Sequence, residues 1–433
     1  MWGRALAWLM VLTPFFFVTY GFANWAATRR AFVPSIVFGW EHHIPFLAWT
    51  IVPYWSTDFL YAASLFVCRT KRELTTHVKR LAAAQLISVC VFLAFPLRFS
   101  FARPHPAGLL GSMFDALTSF DRPFNQAPSL HLSLTVILWA LYSRHLSGGR
   151  LWLMRALMIL AGLSTLSTYQ HHFIDLPTGV WVGLFCLVLF PDNPPAMRFE
   201  PVRDTRAIKL GMGYLAGFAV LVCLAAQIGG AAWWLLWPAG ALLIVAGIYM
   251  SGRPELFCKS SGAMPAAMAT LLAPYLAAAW LNSRVWTRNS PAASEMSDGV
   301  WLGGMSGVTM GSGNHFASIV DLTAELPMRA AGAAYRTVPM LDLIVPTVGQ
   351  LEAAVQAIEE LKPQRPTLVC CALGYSRSAT AMAAWMTASG AAKSLPDSIA
   401  RIKANRPRTV MGQEHEARLD EWSRIRGGPC QNS

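Results

Sequence analysis

The chain has 433 residues, of which 54% are hydrophobic, 12% aromatic and only 13% charged. The charged share is about half of the ~25% typical of soluble proteins, which excludes a disordered, collagen-like or coiled-coil chain and indicates a membrane protein. The formal net charge is +12, but most Lys and Arg residues lie in short clusters between apolar runs, where they orient a membrane protein. We therefore expect no nucleic-acid partner.

Eight apolar runs come near the ~20 residues that cross a bilayer, so we predict an all-α, polytopic membrane region. The candidate spans are about 5–27, 47–67, 81–97, 130–143, 151–168, 173–190, 211–229 and 231–250. The length of the first run and the Arg29-Arg30 pair after it favour an uncleaved anchor over a signal peptide. Segment 262–282 is rich in Ala and contains two prolines, which favours an interfacial or re-entrant helix over a further span.

Basic clusters alternate with the candidate spans. They follow the second, fourth, sixth and eighth spans, and the first of them is RTKRELTTHVKR, which we take as a loop. The positive-inside rule places these clusters and the N-terminus in the cytoplasm, so segments 98–129 and 169–172 face outward. We expect an integral, multi-pass protein of the inner or plasma membrane.

From residue 284 onward the pattern changes to short β-like runs alternating with amphipathic helices, which predicts an α/β domain. We therefore divide the chain into a membrane domain at 1–195, additional transmembrane or interfacial helices and a linker at 196–283, and a cytoplasmic domain at 284–433. The eight cysteines show no CxxC spacing, so we expect no disulfide framework, no metal site and no cofactor.

Two outward-facing segments concentrate polar side chains: DRPFNQAPSLHLS, beginning at Asp121, and STYQHHFIDLPTG, beginning at Ser167. His171 and Asp175 are four residues apart, so on a helix they share one face. A carboxylate that binds one imidazole nitrogen leaves the other free to attack phosphorus. His131 can protonate the departing oxygen. Candidates for binding the substrate in this region are Arg98, Arg103, Asn125 and Ser129.

The same segments resemble a known family. Pro128-Ser129-Leu130-His131 is similar to the second signature of the type-2 phosphatidic acid phosphatase (PAP2) superfamily, and Ser164, His171 and Asp175 to the third. NQAPSLH and HHFIDLPTG look most like the inositol phosphorylceramide and sphingomyelin synthase branch. The resemblance covers about residues 1–190 and implies a helical bundle with His171 as nucleophile, Asp175 as its orienter and His131 as acid. His172 is the alternative nucleophile.

The run TLVCCALGYSRSAT places Cys371 and Arg377 in a C-x5-R pattern that contains Gly374. A strand ending in a tight loop at a helix N-terminus forms an anion site, because the backbone N–H groups converge there. The positive field of these groups favours a thiolate nucleophile. Arg377 can grip a phosphate with two parallel hydrogen bonds. Ser378 is a candidate donor to the leaving thiolate, and Asp342 is the best candidate for the general acid.

This stretch resembles the dual-specificity branch of the protein tyrosine phosphatases over about residues 295–425. The resemblance implies that Cys371 is the nucleophile, Arg377 the phosphate clamp, Asp342 the general acid and Ser378 the assisting hydroxyl. Two departures stand out. Cys370 replaces the family's usual His before the nucleophile, and Thr165 stands where many PAP2 members carry an Arg.

The leading hypothesis is a bifunctional membrane phosphatase. Its outward histidine site acts on a lipid phosphate, as a phosphatase or a headgroup transferase, and its cytoplasmic cysteine site hydrolyses phosphomonoesters. The expected partners are membrane lipids, with a phosphoprotein or phospholipid at the cytoplasmic site. The alternatives are a headgroup transferase with no net phosphatase activity and a partly degenerate regulatory or scaffold protein. A transporter is disfavoured because Asp58 is the only acidic residue well inside a span.

Overall fold

The computed structural model describes residues 1–193, 199–306, 316–328 and 332–427. The chain divides into two compact units: Met1–Pro194 with Ile228–Trp233, and Pro195–Gln227 with Trp234–Ser433. The boundary predicted at 195/196, Arg198 in the basic cluster after the sixth span, and Cys430 lie outside the described residues.

The first unit is helical. Its helices are α1 (Trp2–Thr28), α2 (Ile51–Val67), α3 (Lys71–Ala94), α4 (Gly108–Phe120), α5 (Leu130–His145), α6 (Gly148–Ser167) and α7 (Asp175–Leu189). Apolar side chains of α1, α3, α5 and α7 form one buried cluster that includes Leu12, Leu81, Ile137 and Val182. This packing holds the N-termini of α5 and α7, which carry His131 and Asp175, in adjacent positions.

The second unit begins with helices and continues into a sheet. The helices before the sheet are α8 (Thr205–Ile228), α9 (Leu236–Ser251), α10 (Ala266–Leu271) and α11 (Ala273–Thr287). The strands are β1 (Ala293–Ser297), β2 (Val300–Gly304), β3 (Ser318–Thr323), β4 (Ala334–Met340) and β5 (Thr367–Cys371). The remaining helices are α12 (Val348–Leu361), α13 (Arg377–Ala388), α14 (Leu395–Asn405) and α15 (Gln413–Gly427).

Five helical segments in the described part of the chain are long and apolar enough to cross a membrane: Trp2–Thr28, Lys71–Ala94, Gly148–Ser167, Thr205–Ile228 and Gly230–Ser251. The second, fourth and sixth predicted spans correspond to shorter helices, α2, α5 and α7, of 17, 16 and 15 residues. The prediction that residues 69–80 form a basic loop is wrong. Helix α3 already begins at Lys71, because Thr70 caps it by accepting from the Glu73 N–H at 3.1 Å.

The segment 262–282, predicted as one interfacial or re-entrant helix, contains α10 and the first part of α11, which extends to Thr287. Neither helix belongs to the five long apolar segments.

The sheet has the strand order β1-β2-β5-β3-β4, in which only the β1–β2 pair is antiparallel. Strand β5 is central, and its register pairs Cys370 with Asp321 of β3 and Cys371 with Gly304 of β2. Helices α12 and α13 pack on one face of the sheet through a large apolar cluster that includes Val369, Leu351 and Met382. Parallel strands therefore deliver their carboxyl ends to one edge, where ligand sites of α/β folds lie.

Candidate functional sites

The cysteine site is built where β5 ends and α13 begins. Cys371 is the last residue of β5, and its side chain is buried. Its Sγ accepts hydrogen bonds from the Gly374 N–H and from the Ser378 hydroxyl, both at 3.2 Å. Arg377 is the first residue of α13. The loop therefore folds back over the sulfur and surrounds it with donors at a helix N-terminus, where negative charge is favoured.

Gly374 is required by the shape of this loop. Its φ is +79°, in the region that glycine tolerates and other residues rarely adopt. A Cβ at this position would lie 2.6 Å from the carbonyl carbon of Gly303 and 2.7 Å from the Gly304 nitrogen. The backbone of β2 thus approaches the loop too closely for any side chain.

Arg377 is buried and held by two carboxylates. Its Nη1 and Nη2 donate to the two oxygens of Glu325 at 2.9 and 2.8 Å, and Nη2 lies 2.9 Å from Oδ1 of Asp342. A further bond runs from Nη1 to the Met340 carbonyl at 2.9 Å. The structure thus brings together Cys371, Arg377 and Asp342, as well as Glu325, which the sequence reasoning missed.

Glu325 is charged at neutral pH in spite of its burial. Burial raises the pKa of its carboxyl group, but the charge and hydrogen bonds of Arg377 outweigh this effect and hold the pKa below its ordinary value. Burial lowers the pKa of Arg377, and Glu325 and Asp342 more than compensate by raising it. The signal that could have found Glu325 is its place directly after the β-like run that becomes β3.

Cys370 is a buried residue on the opposite face of the sheet. It packs in a second apolar cluster with Met305, Ile319 and Leu326. Burial, and next the Asp321 carboxylate, raise the pKa of its thiol well above the ordinary value. Cys370 is therefore a thiol at neutral pH and a packing residue, whereas the thiol of Cys371 faces the loop donors.

Three tyrosines from the helices before the sheet lie beside this site. The Tyr249 hydroxyl donates to the Asp342 carbonyl at 3.3 Å. The Tyr214 ring lies 5.4 Å from the ring of Tyr249 and 6.1 Å from that of Tyr275. Helices α8, α9 and α11 thus place a cluster of phenol groups next to the proposed general acid.

The histidine site lies in the first unit, where α6 ends and α7 begins. His171 Nδ1 is 3.1 Å from Oδ2 of Asp175, and both residues are buried. Among the described residues, Nε2 of His171 has no hydrogen-bond partner. Both ring nitrogens of His172 are engaged, Nδ1 with Glu41 at 3.0 Å and Nε2 with the Ser100 hydroxyl and N–H at 3.1 and 3.2 Å. The geometry therefore favours His171 over His172 as the nucleophile.

Glu41 is a second acid that the sequence reasoning missed. It is buried, and it accepts from the Phe38 and Phe173 N–H groups at 2.8 and 3.0 Å as well as from His172. Burial raises its pKa, but these hydrogen bonds outweigh burial and lower the pKa. Glu41 thereby fixes the loop that precedes Asp175.

His131 stands on the N-terminal turn of α5. Its Nε2 shares a hydrogen bond of 2.9 Å with the Thr57 hydroxyl, and its ring stacks on Tyr54 with centroids 4.4 Å apart. It lies close enough to His171 for their charges to interact. The Ser129 N–H donates to the Asp175 carbonyl at 3.0 Å, so the neighbouring ends of α5 and α7 bring the two histidines close together.

The four residues predicted to bind substrate at the histidine site differ in their contacts. Arg103 donates to the Tyr169 carbonyl at 2.8 Å, near His171. Arg98 is exposed and, within the described residues, makes no side-chain hydrogen bond to His131 or His171. Asn125 is buried and donates to the Tyr20 carbonyl at 3.0 Å. Ser129 caps α5 by accepting from Leu132 N–H at 3.4 Å. The last two thus have structural contacts that explain their presence.

Asp121 completes the polar lining of the histidine site. It accepts from the Tyr20 hydroxyl at 2.8 Å and is close to both Arg103 and His171. Burial raises the pKa of its carboxyl group. Within the described ranges, no group of three or more His, Cys, Asp or Glu side chains has the arrangement of a metal site.

Comparison with known proteins bears on the second unit. Residues 300–425 match the family model for the catalytic domain of dual specificity phosphatases. The C-terminal region is a dual-specificity phosphatase catalytic domain. Such a domain hydrolyses phosphomonoesters, and its family match contains Glu325, Asp342, Cys371 and Arg377. The match does not extend to the N-terminal region, whose PAP2 resemblance stays a prediction.

Solved structures similar to this chain include the active form of Tk-PTP, human DUSP28 and PTPMT1 in complex with PI(5)P. Their sequence identities are 26%, 20% and 17%, and their TM-scores 0.27, 0.29 and 0.27. Each alignment covers 31% of this chain and 97%, 95% and 96% of the other chain, respectively. Because these TM-scores are low, the assignment depends on the family model. A comparison with curated proteins gives no match.

Proposed function

We propose that this protein is a membrane enzyme with two phosphate-handling sites, a cytoplasmic cysteine phosphatase and an outward-facing histidine site for a lipid phosphate. The observation that carries the first part is the Cys371 loop, in which Gly374, Ser378 and Arg377 surround the sulfur. The second part is supported by the His171–Asp175 pair with its free Nε2.

At the cysteine site the reaction has two steps. The Cys371 thiolate attacks phosphorus and forms a phosphocysteine, while protonated Asp342 gives its proton to the departing alkoxide oxygen. Water then attacks phosphorus, the Asp342 carboxylate takes a proton from that water, and the sulfur leaves as a thiolate that accepts the Ser378 hydrogen bond. Arg377 binds the non-bridging oxygens in both steps.

The substrate that fits this site is a singly phosphorylated membrane lipid. The loop side chains Ala372, Leu373 and Tyr375 are neutral, so they offer no extra cations for polyphosphorylated groups. Helix α8 and the segment Gly230–Ser251, which contains α9, are long and apolar enough to cross a membrane. They bring Tyr214 and Tyr249 to the edge of the site. A lipid headgroup at the membrane surface would meet these phenols first.

At the histidine site Nε2 of His171 would attack the lipid phosphorus, and His131 would protonate the departing oxygen. Asp175 holds the proton of Nδ1 and stabilises the phosphoimidazole. Water as the second nucleophile gives a lipid phosphatase, whereas an alcohol gives a headgroup transferase. Both outcomes use the same three residues.

Lipid mass spectrometry of membranes that contain the wild-type chain, His171→Ala or Cys371→Ser tests the proposal. We expect the wild-type chain to change the amount of one lipid class and His171→Ala to abolish this effect. Cys371→Ser should abolish turnover of a soluble aryl phosphate and leave the effect on the lipid class intact. Released phosphate identifies hydrolysis, and a new headgroup identifies transfer. Lipid profiles that are the same with and without the wild-type chain would overturn the histidine assignment.

The substrate class of the cysteine site is tested with Tyr249→Phe in the full chain. This change removes the hydroxyl that contacts Asp342 and should lower turnover of a lipid phosphomonoester in mixed micelles more than turnover of a soluble aryl phosphate. Equal losses on both substrates, or preferred turnover of a phosphopeptide by the wild type, would contradict a lipid substrate.

Topology is tested by labelling single cysteines in intact cells with an impermeant reagent, beside the parent chain as background. Thr118 and Lys393 are exposed positions in the segments expected outside and inside, respectively. We expect Thr118→Cys to be labelled and Lys393→Cys to be protected until the membrane is opened. Labelling of Lys393→Cys in intact cells would contradict the cytoplasmic placement.

A further inference from the structure

The segment between α9 and α10, residues 252–263, docks onto the edge of the phosphatase sheet. Ser260 and Ala263 exchange two backbone hydrogen bonds of 2.9 Å, which form a tight turn. The Gly262 carbonyl accepts from the Met328 N–H at 2.8 Å. This segment lies outside residues 300–425, which match the phosphatase family, yet it contacts the strand end that leads to Glu325.

The turn inserts one lysine into the domain interior. The side chain of Lys259 is 1% exposed, and its ammonium group forms an ion pair with Asp321, whose side chain is 0% exposed. Lys259 also donates to the Thr323 carbonyl at 3.1 Å and to the Thr323 hydroxyl. Asp321 accepts in addition from the Thr323 N–H at 2.8 Å and from the Tyr335 hydroxyl. The buried charges are therefore paired and surrounded by hydrogen bonds, as burial requires.

This cluster lies next to the groups that hold the catalytic arginine. Asp321 is paired in the sheet with Cys370, the neighbour of the nucleophile. Thr323 is the last residue of β3, two positions before Glu325, whose carboxylate binds Arg377. A lysine bound to both Asp321 and Thr323 fixes the end of β3, and with it the starting point of the turn that carries Glu325.

We infer that Lys259 is a positioning residue of the phosphatase, supplied by the membrane-side segment and acting on Arg377 through the β3 end and Glu325. Cys370, the residue before the nucleophile, is buried in an apolar cluster, and its sheet partner is Asp321. The Lys259–Asp321 pair provides a polar support beside that position. The catalytic unit thus begins near residue 252, and it is completed by the chain that emerges from α9.

The inference rests on the proposed activity of Cys371, so its test has a readout besides turnover. Inorganic phosphate bound by Arg377 shields Cys371 from iodoacetamide, and mass spectrometry of the Cys371 peptide measures the protection. The full chain in detergent is used, with wild type, Lys259→Met, the double variant Lys259→Met/Asp321→Asn, and Lys393→Met as a control on an exposed lysine.

Lys259→Met leaves Asp321 buried without its cation and should lower thermal stability. The double variant removes both charges, so stability should return, while the link from residue 259 to Thr323 remains broken. We expect the double variant to lose about 10- to 100-fold in aryl-phosphate kcat, the size of effect that slight misplacement of a catalytic group produces. The phosphate concentration that gives half-protection of Cys371 should rise by a similar factor, and Lys393→Met should match the wild type.

Wild-type kcat and wild-type phosphate protection in the double variant would overturn the inference and leave Lys259 as a stability anchor only. If the wild type has no turnover, the proposed phosphatase function fails. The protection assay still decides the inference in that case, because phosphate binding by Arg377 does not require the reaction.

Discussion

The pair formed by Glu325 and Arg377 allows a stability prediction with a definite size. Both side chains are at most 5% exposed and share two hydrogen bonds of 2.8 and 2.9 Å. Removing one partner of a buried ion pair costs about 3–5 kcal/mol. Asp342, which is 39% exposed, still offers Arg377 one carboxylate, so we expect the lower end, about 3 kcal/mol, for Glu325→Ala. That corresponds to a fall of roughly 6–12 °C in the unfolding temperature of a domain of this size.

The pH dependence of this stability loss shows whether the Glu325–Arg377 ion pair causes it. The pKa of Glu325 is lowered in the folded protein, so its contribution is complete above the ordinary value of 4.5 and is lost as the pH falls through the lowered pKa. Glu325→Gln has no charge at any pH. The stability gap between wild type and Glu325→Gln should therefore be largest near pH 6–7 and shrink below about pH 4.

Pulse proteolysis of the full chain in detergent, followed through peptides of the phosphatase domain, measures this gap. Glu360→Gln is the matched control, because Glu360 pairs with Arg336 on the surface and is 53% exposed. It should change stability by less than about 1 kcal/mol. A gap for Glu325→Gln that is constant with pH, or equal to that of the control, would refute the reasoning.

Three further predictions concern the reacting groups. His171→Gln should abolish lipid turnover while His172→Gln retains part of it, because Nε2 of His172 is bonded to Ser100, whereas Nε2 of His171 has no hydrogen-bond partner among the described residues. The reverse order in a lipid assay would reassign the nucleophile. Gly374→Ala should lower aryl-phosphate turnover at least about 100-fold by displacing the loop, whereas Gly349→Ala, with open space around it, should match the wild type in the same assay. Asp342→Asn should lower turnover about 10²- to 10⁴-fold, less for substrates with acidic leaving groups, and a loss independent of the leaving group would exclude it as general acid.

The cysteine site could be predicted largely from the sequence because its main parts are local. Cys371, Gly374, Arg377 and Ser378 lie within eight positions of one another, and a strand–loop–helix turn brings them together by itself. Glu325 could not be assigned because its partner is set by the parallel pairing of β3 with β5. Sequence distance carries no information about such a pairing until the strand order is known.

Lys259 and Glu41 were missed for a related reason. Both lie in segments between helices, at 252–263 and 29–50, where no periodic pattern shows which side chains turn inward. Lys259 belongs to the basic cluster after the eighth predicted span, where its charge indicates a cytoplasmic loop, and its sequence neighbours do not predict burial. Most of the long apolar helices, by contrast, follow from composition. The exceptions are α4, within segment 98–129, the division of 262–282 between α10 and α11, and the start of α3 at Lys71.

The contacts of Arg377 suggest how substrate binding and acid catalysis are coupled. The guanidinium holds Glu325 and Asp342 together, so two carboxylates contact one cation that is itself buried. A phosphate dianion offers Arg377 better bidentate oxygens than Asp342, the more exposed of the two acids. We therefore expect a bound phosphate to displace Asp342 and to leave Glu325 in place. The released carboxyl group would then lie next to the phosphate, where a proton donor to the leaving oxygen must stand, so occupation of the loop also positions the proposed general acid.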